Sequence, residues 1–98
     1  VYITNHAEKE ARRIARRLLK KRLIACANIF PIQSLCLWAK KIAKEKEFVL
    51  IAKTTNSCFE GVKNEVEKEH SYSIPCTVRV PVSSNKKYFE WLESEVEK

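Results

Sequence analysis

Apolar side chains fall at Ala11, Ile14, Ala15, Leu18 and Leu19, the i, i+3, i+4, i+7, i+8 spacing of a helix with one buried face. Its acids, Glu8 and Glu10, stand in the first turn and its bases Lys20, Lys21 and Arg22 in the last, as the helix dipole favours. Asn5 with Glu8 three residues on predicts a capping box. Ahead of it, VYIT (1–4) mixes β-branched and aromatic residues and predicts a short strand. LIACANIF (23–30) is a continuous apolar run, the pattern of a strand buried on both faces. Pro31 has no amide proton and marks a bulge or an edge, and IQSLCLW (32–38) keeps the strand going. KKIAKEKE (40–47) reads as a charged hairpin tip and FVLIAKT (48–54) as the returning strand.

Further on, Ser57 with Glu60 predicts a second capping box, and Phe59, Val62 and Val66 give a helical stripe over about 57–69, ending near His70. Cys76, Val78, Val80 and Val82 alternate with Thr77, Arg79 and Pro81, a strand of period two whose outer end Pro81 makes an edge. Ser84 or Asn85 caps a last helix with apolar positions Tyr88, Trp91, Leu92 and Val96. The order β-α-β-β-α-β-α is the split β-α-β of an α+β, ferredoxin-like fold, with an antiparallel sheet and its helices on one face. Ninety-eight residues suit one domain, 1–98. Because the strand at 23–29 wants cover on both faces, helices on one side leave a face open. A second copy of the chain is the simplest lid, so a homo-oligomer is expected.

Composition narrows the partners. Nineteen Lys and Arg against twelve Asp and Glu leave a formal charge of +7, which favours anionic surroundings without naming one. Seven of these bases, at 12, 13, 16, 17, 20, 21 and 22, lie on the first helix away from its apolar stripe. Without stacking aromatics or a reading helix among them, they predict a solvated face rather than a nucleic-acid footprint. No apolar run approaches the ~18 residues of a membrane span, and the first residues carry no export leader. The absence of an initiating methionine points to a trimmed amino terminus. The four cysteines, at 26, 36, 58 and 76, have neither C-x-x-C pairing nor the density of a secreted scaffold, which predicts a reduced, cytoplasmic chain.

Candidate chemistry concentrates in HSYSIPC (70–76). Thiolate and imidazole suit copper or zinc, so Cys26, His70 and Cys76 are the candidate metal ligands. Cys26 lies in an apolar run, where a free cysteine is also a small buried hydrophobe, and Cys36 and Cys58 read as packing residues. His6, beside a better cap residue, reads as surface. Ser71 and Ser73 stand near His70, but no G-x-S-x-G turn, H-E-x-x-H, Walker loop or G-x-G-x-x-G occurs, and one glycine leaves little for a phosphate-cradling loop. No enzyme is expected.

Several stretches together resemble the CutA divalent-cation tolerance family: RLIACANIFPI (22–32), Trp38 with Lys41 and Ile42, IAKTT (51–55), HSYSIP (70–75) and YFEWL (88–92). The resemblance implies a ferredoxin-like homotrimer, similar in architecture to the PII signalling proteins, whose packed sheets would close the open face. It also implies a link with copper and other divalent metals, and a cleft between subunits built here from Trp38, Lys41, Lys53, His70 and Tyr72. This sequence departs from the family pattern at Ala39 and Lys40, where Glu-Gly is usual, at Ser71 for Pro and at Cys76 for Glu. Two carboxylates are thereby lost and a soft ligand gained, which shifts the expected cation towards copper or zinc. The alternative is a PII-like module in which Lys41 and Lys53 receive a small anionic ligand.

Overall fold

The computed structural model describes residues 1–97. Its elements are β1 (Tyr2–Asn5), α1 (Glu8–Lys20), β2 (Cys26–Trp38), β3 (Lys41–Lys53), a 3-10 turn (Asn56–Cys58), α2 (Phe59–Glu69), β4 (Thr77–Val78) and α3 (Lys86–Glu95). The strands form one antiparallel sheet in the order β2-β3-β1-β4, so β3 lies between β1 and β2 and splits the first β-α-β unit, the ferredoxin-like arrangement.

The stripe on α1 buries Ala11, Ile14, Ala15 and Leu18, while Leu19 stays 40% exposed. These side chains meet Val62 and Val66 of α2 and Ile3, Leu50 and Ala52 of the sheet in one core. α1 ends in a Schellman motif: Leu23 N–H donates to Leu18 O at 3.0 Å and Arg22 N–H to Leu19 O at 3.0 Å. Arg22 takes the left-handed position there, with φ 57°. The opposite sheet face carries Tyr2, Thr4, Cys26, Phe30, Val49 and Ile51 by register. Val49 is buried, the others are half-buried, and Phe30 is exposed. At the end of the sheet Tyr88, Phe89 and Leu92 of α3 line, with Tyr2, Ile51 and Lys53, a groove of about 860 Å³.

Four local expectations change. Asn5 is no helix cap. Pairing with Phe48 extends β1 by one residue, Asn5 is fully buried with Nδ2 donating to Phe48 O at 3.3 Å, and Ala7 takes the cap position without a side-chain bond. Ser57 does not cap α2 either; its hydroxyl shares a 3.0 Å hydrogen bond with that of Thr55, and a 3-10 turn precedes the helix. Residues 41–47 are not a tip but strand, paired in register from Trp38↔Lys41 to Ile32↔Glu47, and the turn is only Ala39–Lys40. Both turn residues have positive φ, 51° and 65°, the form of two-residue turn that matches strand twist. The strand foreseen over 76–82 shrinks to Thr77–Val78, because Val78 already pairs with Tyr2 and the chain then runs past the end of β1. Pro31, by contrast, sits where it is tolerated, in the edge strand β2.

Candidate functional site

The corner after α2 is built by local bonds. His70 leaves the helix in extended conformation, and its N–H still donates to Val66 O at 2.8 Å. Its side chain is fully buried, with Nε2 at 2.7 Å from Thr4 O and Nδ1 accepting the Tyr72 N–H at 3.0 Å. A carbonyl only accepts, so the ring is neutral with its proton on Nε2. The Tyr72 ring packs 4.7 Å from the His70 ring, and its hydroxyl donates to Glu47 Oε2 at 2.7 Å. Burial first, and the Glu47 carboxylate second, hold the phenol well above its ordinary range. Tyr72 is therefore a fixed donor at neutral pH.

The remaining cleft residues stand elsewhere. Trp38 and Lys41 pair across the strands at the tip of the β2–β3 arm, where Trp38 is 63% exposed. Lys53 lies at the other end of β3, its Nζ 5.6 Å from the Tyr88 ring centre. From Lys41 to Lys53, twelve strand steps of ~3.3 Å span about 40 Å. One chain thus holds the five residues at three stations: Trp38 with Lys41, His70 with Tyr72, and Lys53 apart from both.

The predicted metal ligands are likewise not gathered. All four cysteines are free thiols. Cys26 pairs with Lys53 at the far end of the arm, Cys76 precedes β4, and both His70 nitrogens already have partners. Cys58 is buried and donates to Glu97 O at 2.9 Å. Among the described residues no three His, Cys, Asp or Glu side chains stand together as metal ligands. Ser71 meets His6 Nδ1 at 3.2 Å, and Glu10 Oε1 approaches that same nitrogen at 3.5 Å. With both groups on one nitrogen, a relay through the ring of the hydrolase kind is not formed.

Two carboxylates at this corner escaped the sequence reading. Glu47 is buried under Tyr72, and Glu10, only 6% exposed, turns inward from the first helix. Glu47 was hidden in an alternating Lys and Glu run, and Glu10 in a first turn where acids are ordinary; Glu10 stands one position before the apolar stripe, the only signal available.

The basic face of α1 is largely spent within the fold. Arg17 reaches Glu65 at 2.6 Å and Glu69 at 2.8 Å, Lys21 reaches Glu65 at 3.0 Å, Arg12 pairs with Glu8 at 3.1 Å and Arg13 with Glu69 at 3.7 Å. Only Arg16 and Lys20 of the seven lack an ion pair among the described residues. The hydrogen bonds from Arg17 and Lys21 hold the Glu65 carboxyl down at about 2.

Comparison with known proteins agrees with this architecture. The family model described as CutA1 divalent ion tolerance protein matches residues 1–95. The divalent-cation tolerance protein CutA of Archaeoglobus fulgidus is 44% identical over 98 residues, spanning 99% of this chain and 96% of that protein. A solved structure of the periplasmic divalent cation tolerance protein CutA from that organism superposes with a TM-score of 0.96 at 44% identity, covering 98% of this chain and 95% of the other. The PII-like protein CutA from Nostoc sp. PCC 7120, in apo form, is 27% identical with a TM-score of 0.90, covering 98% of this chain and 95% of the other. No helix among the described residues is long and apolar enough to cross a membrane.

Proposed function

We propose, from the premise that this chain belongs to the CutA1 divalent ion tolerance family, that it acts as a homotrimer that binds or responds to a divalent metal, copper foremost. The observation that carries this reading is the separation of Trp38 and Lys41, of His70 and Tyr72, and of Lys53 into stations spread along one strand, which only neighbouring copies can bring together. Both sheet edges support such an assembly. β2 presents a thirteen-residue open edge, and the segment beyond β4 presents Val80 and Val82, 51% and 83% exposed, in a chain with no strand partner. Joining one edge to the other is head-to-tail, an interface that makes a ring when its rotation closes, as a trimer requires. The arm tip adds exposed apolar surface at Leu35, Leu37 and Ile42, which a neighbour would cover.

Copper is favoured by the Cys76 thiol and His70 imidazole in the 70–76 segment, Cys76 standing in for a hard carboxylate. The free thiols fit a reducing, cytoplasmic setting. A binding role fits better than catalysis, since the corner's donors are locked in structural bonds. One observation favours the PII-like alternative: Lys41 and Lys53 form no ion pair among the described residues, so two cations are available to a small anion in the same cleft. Calorimetry of the reduced protein with Cu(I), Cu(II) and Zn(II) tests the choice. Weaker binding in Cys26→Ala, His70→Ala or Cys76→Ala is expected. Equal binding in wild type and all three variants, each checked for folding, removes those ligands.

A further inference from the structure

Helix α1 carries a row of positive charge that the fold leaves largely unused. Lys9, Arg13, Arg16 and Lys20 recur at i, i+4, i+7 and i+11, so they share the face opposite the buried Ala11, Ile14, Ala15 and Leu18. All four are exposed. At ~1.5 Å per residue the row runs about 17 Å along the helix. Arg12 flanks it, 62% exposed. Arg13 leans on Glu69 at 3.7 Å and on Glu10 at 3.9 Å, whereas Lys9, Arg16 and Lys20 form no ion pair among the described residues. Like charges three and four residues apart on one helix repel, so this row weakens α1 rather than supporting it.

The side chains of this face bound a trough of about 1010 Å³. Seven Lys and Arg line it against three carboxylates, Glu8, Glu10 and Glu69. No Phe, Tyr or Trp is among the lining residues. Such a lining attracts a linear anion but gives a nucleic-acid base nothing to stack on. Arg12, Arg13 and Arg16 add the planar fork that takes phosphate oxygens two at a time. The apolar stripe of α1 is spent in the core, and Leu19, 40% exposed, is its one apolar side chain outside it, which leaves little to insert into a bilayer.

We propose that this face of α1 binds inorganic polyphosphate, a linear phosphate chain without bases or lipid tails, with Lys9, Arg16 and Lys20 as its principal contacts. The lack of stacking aromatics, which speaks against nucleic acid, does not bear on a chain made of phosphate alone. The site lies on the helical side of the sheet, apart from the β2 edge and the segment beyond β4, and so does not compete with the contacts of the proposed trimer. It goes beyond the metal reading and uses neither His70 nor a cysteine.

Calorimetry of the full, reduced chain with long-chain sodium polyphosphate over a series of salt concentrations tests the site. Affinity is expected to fall as salt rises, because counterions compete for the phosphates. The triple variant Lys9→Gln, Arg16→Gln, Lys20→Gln changes side chains that make no ion pair within the described fold, and its folding is checked by circular dichroism. It is expected to lose at least tenfold in affinity. A second triple variant, Lys63→Gln, Lys68→Gln, Lys87→Gln, makes the same change of net charge outside the trough and is expected to bind as the wild type does. Equal losses in the two variants, undiminished binding in the first, or no binding by the wild type overturns the site. So does tighter binding of duplex DNA, poly-glutamate or phosphatidylserine vesicles at the same salt. Each of these outcomes leaves the metal titrations, and the reading they test, untouched.

Discussion

Glu65 shows how much of the positive charge is internal structure. It is buried between α1 and α2 and accepts from Arg17 and Lys21 while Lys68 stands 3.8 Å away. Its folded pKa lies at about 2 against an ordinary 4.5, so the group contributes stability that is complete above about 4.5 and is lost as pH falls towards 2. Urea unfolding between pH 6 and 2.5 is expected to show the midpoint falling more steeply with acid in the wild type than in Glu65→Gln; parallel curves would remove Glu65 from the account. At this scale the sequence was legible where chemistry is local. His70 and Tyr72, two residues apart, do meet, whereas Glu10, Glu47 and Glu65 meet His70, Tyr72 and Arg17, partners 25 to 60 positions away.

The β2–β3 arm is the element that the sequence described least well. Continuous apolar runs were read as strands, but KIAKEKE, largely exposed from Lys41 to Lys46, was read as a charged hairpin tip. Its pairing follows from a two-residue turn at Ala39 and Lys40, neither of which is the glycine or asparagine that would announce it. Each holds a left-handed conformation that costs an L-residue roughly 1–2 kcal/mol. Replacing Ala39→Asn and Lys40→Gly together is expected to stabilise the protein by about 1–2 kcal/mol in denaturant unfolding. No gain, or a loss, would mean that the arm is set by contacts elsewhere. The helices were more legible, because their apolar period is satisfied within the chain; only their caps were misread, where strand pairing of Asn5 and the 3-10 turn at Asn56–Cys58 overrode capping.

For the whole molecule, the uninterrupted apolar run at 23–30 led to the expectation of a second copy, and in the single chain Phe30, Leu35, Leu37, Trp38 and Ile42 remain exposed along one arm. The strand foreseen at 76–82 belongs to the same scale. Its alternation is that of a strand, yet within one chain only Thr77 and Val78 find a partner. In the proposed trimer a neighbour's β2 would supply the missing ladder. The cleft of Trp38, Lys41, Lys53, His70 and Tyr72 would, in that trimer, follow from assembly rather than from folding. The most direct measurement is the solution mass of the wild-type chain by size-exclusion chromatography with light scattering at micromolar concentration. The account predicts three times the 11.4 kDa chain mass. A monomer of 11.4 kDa would contradict it.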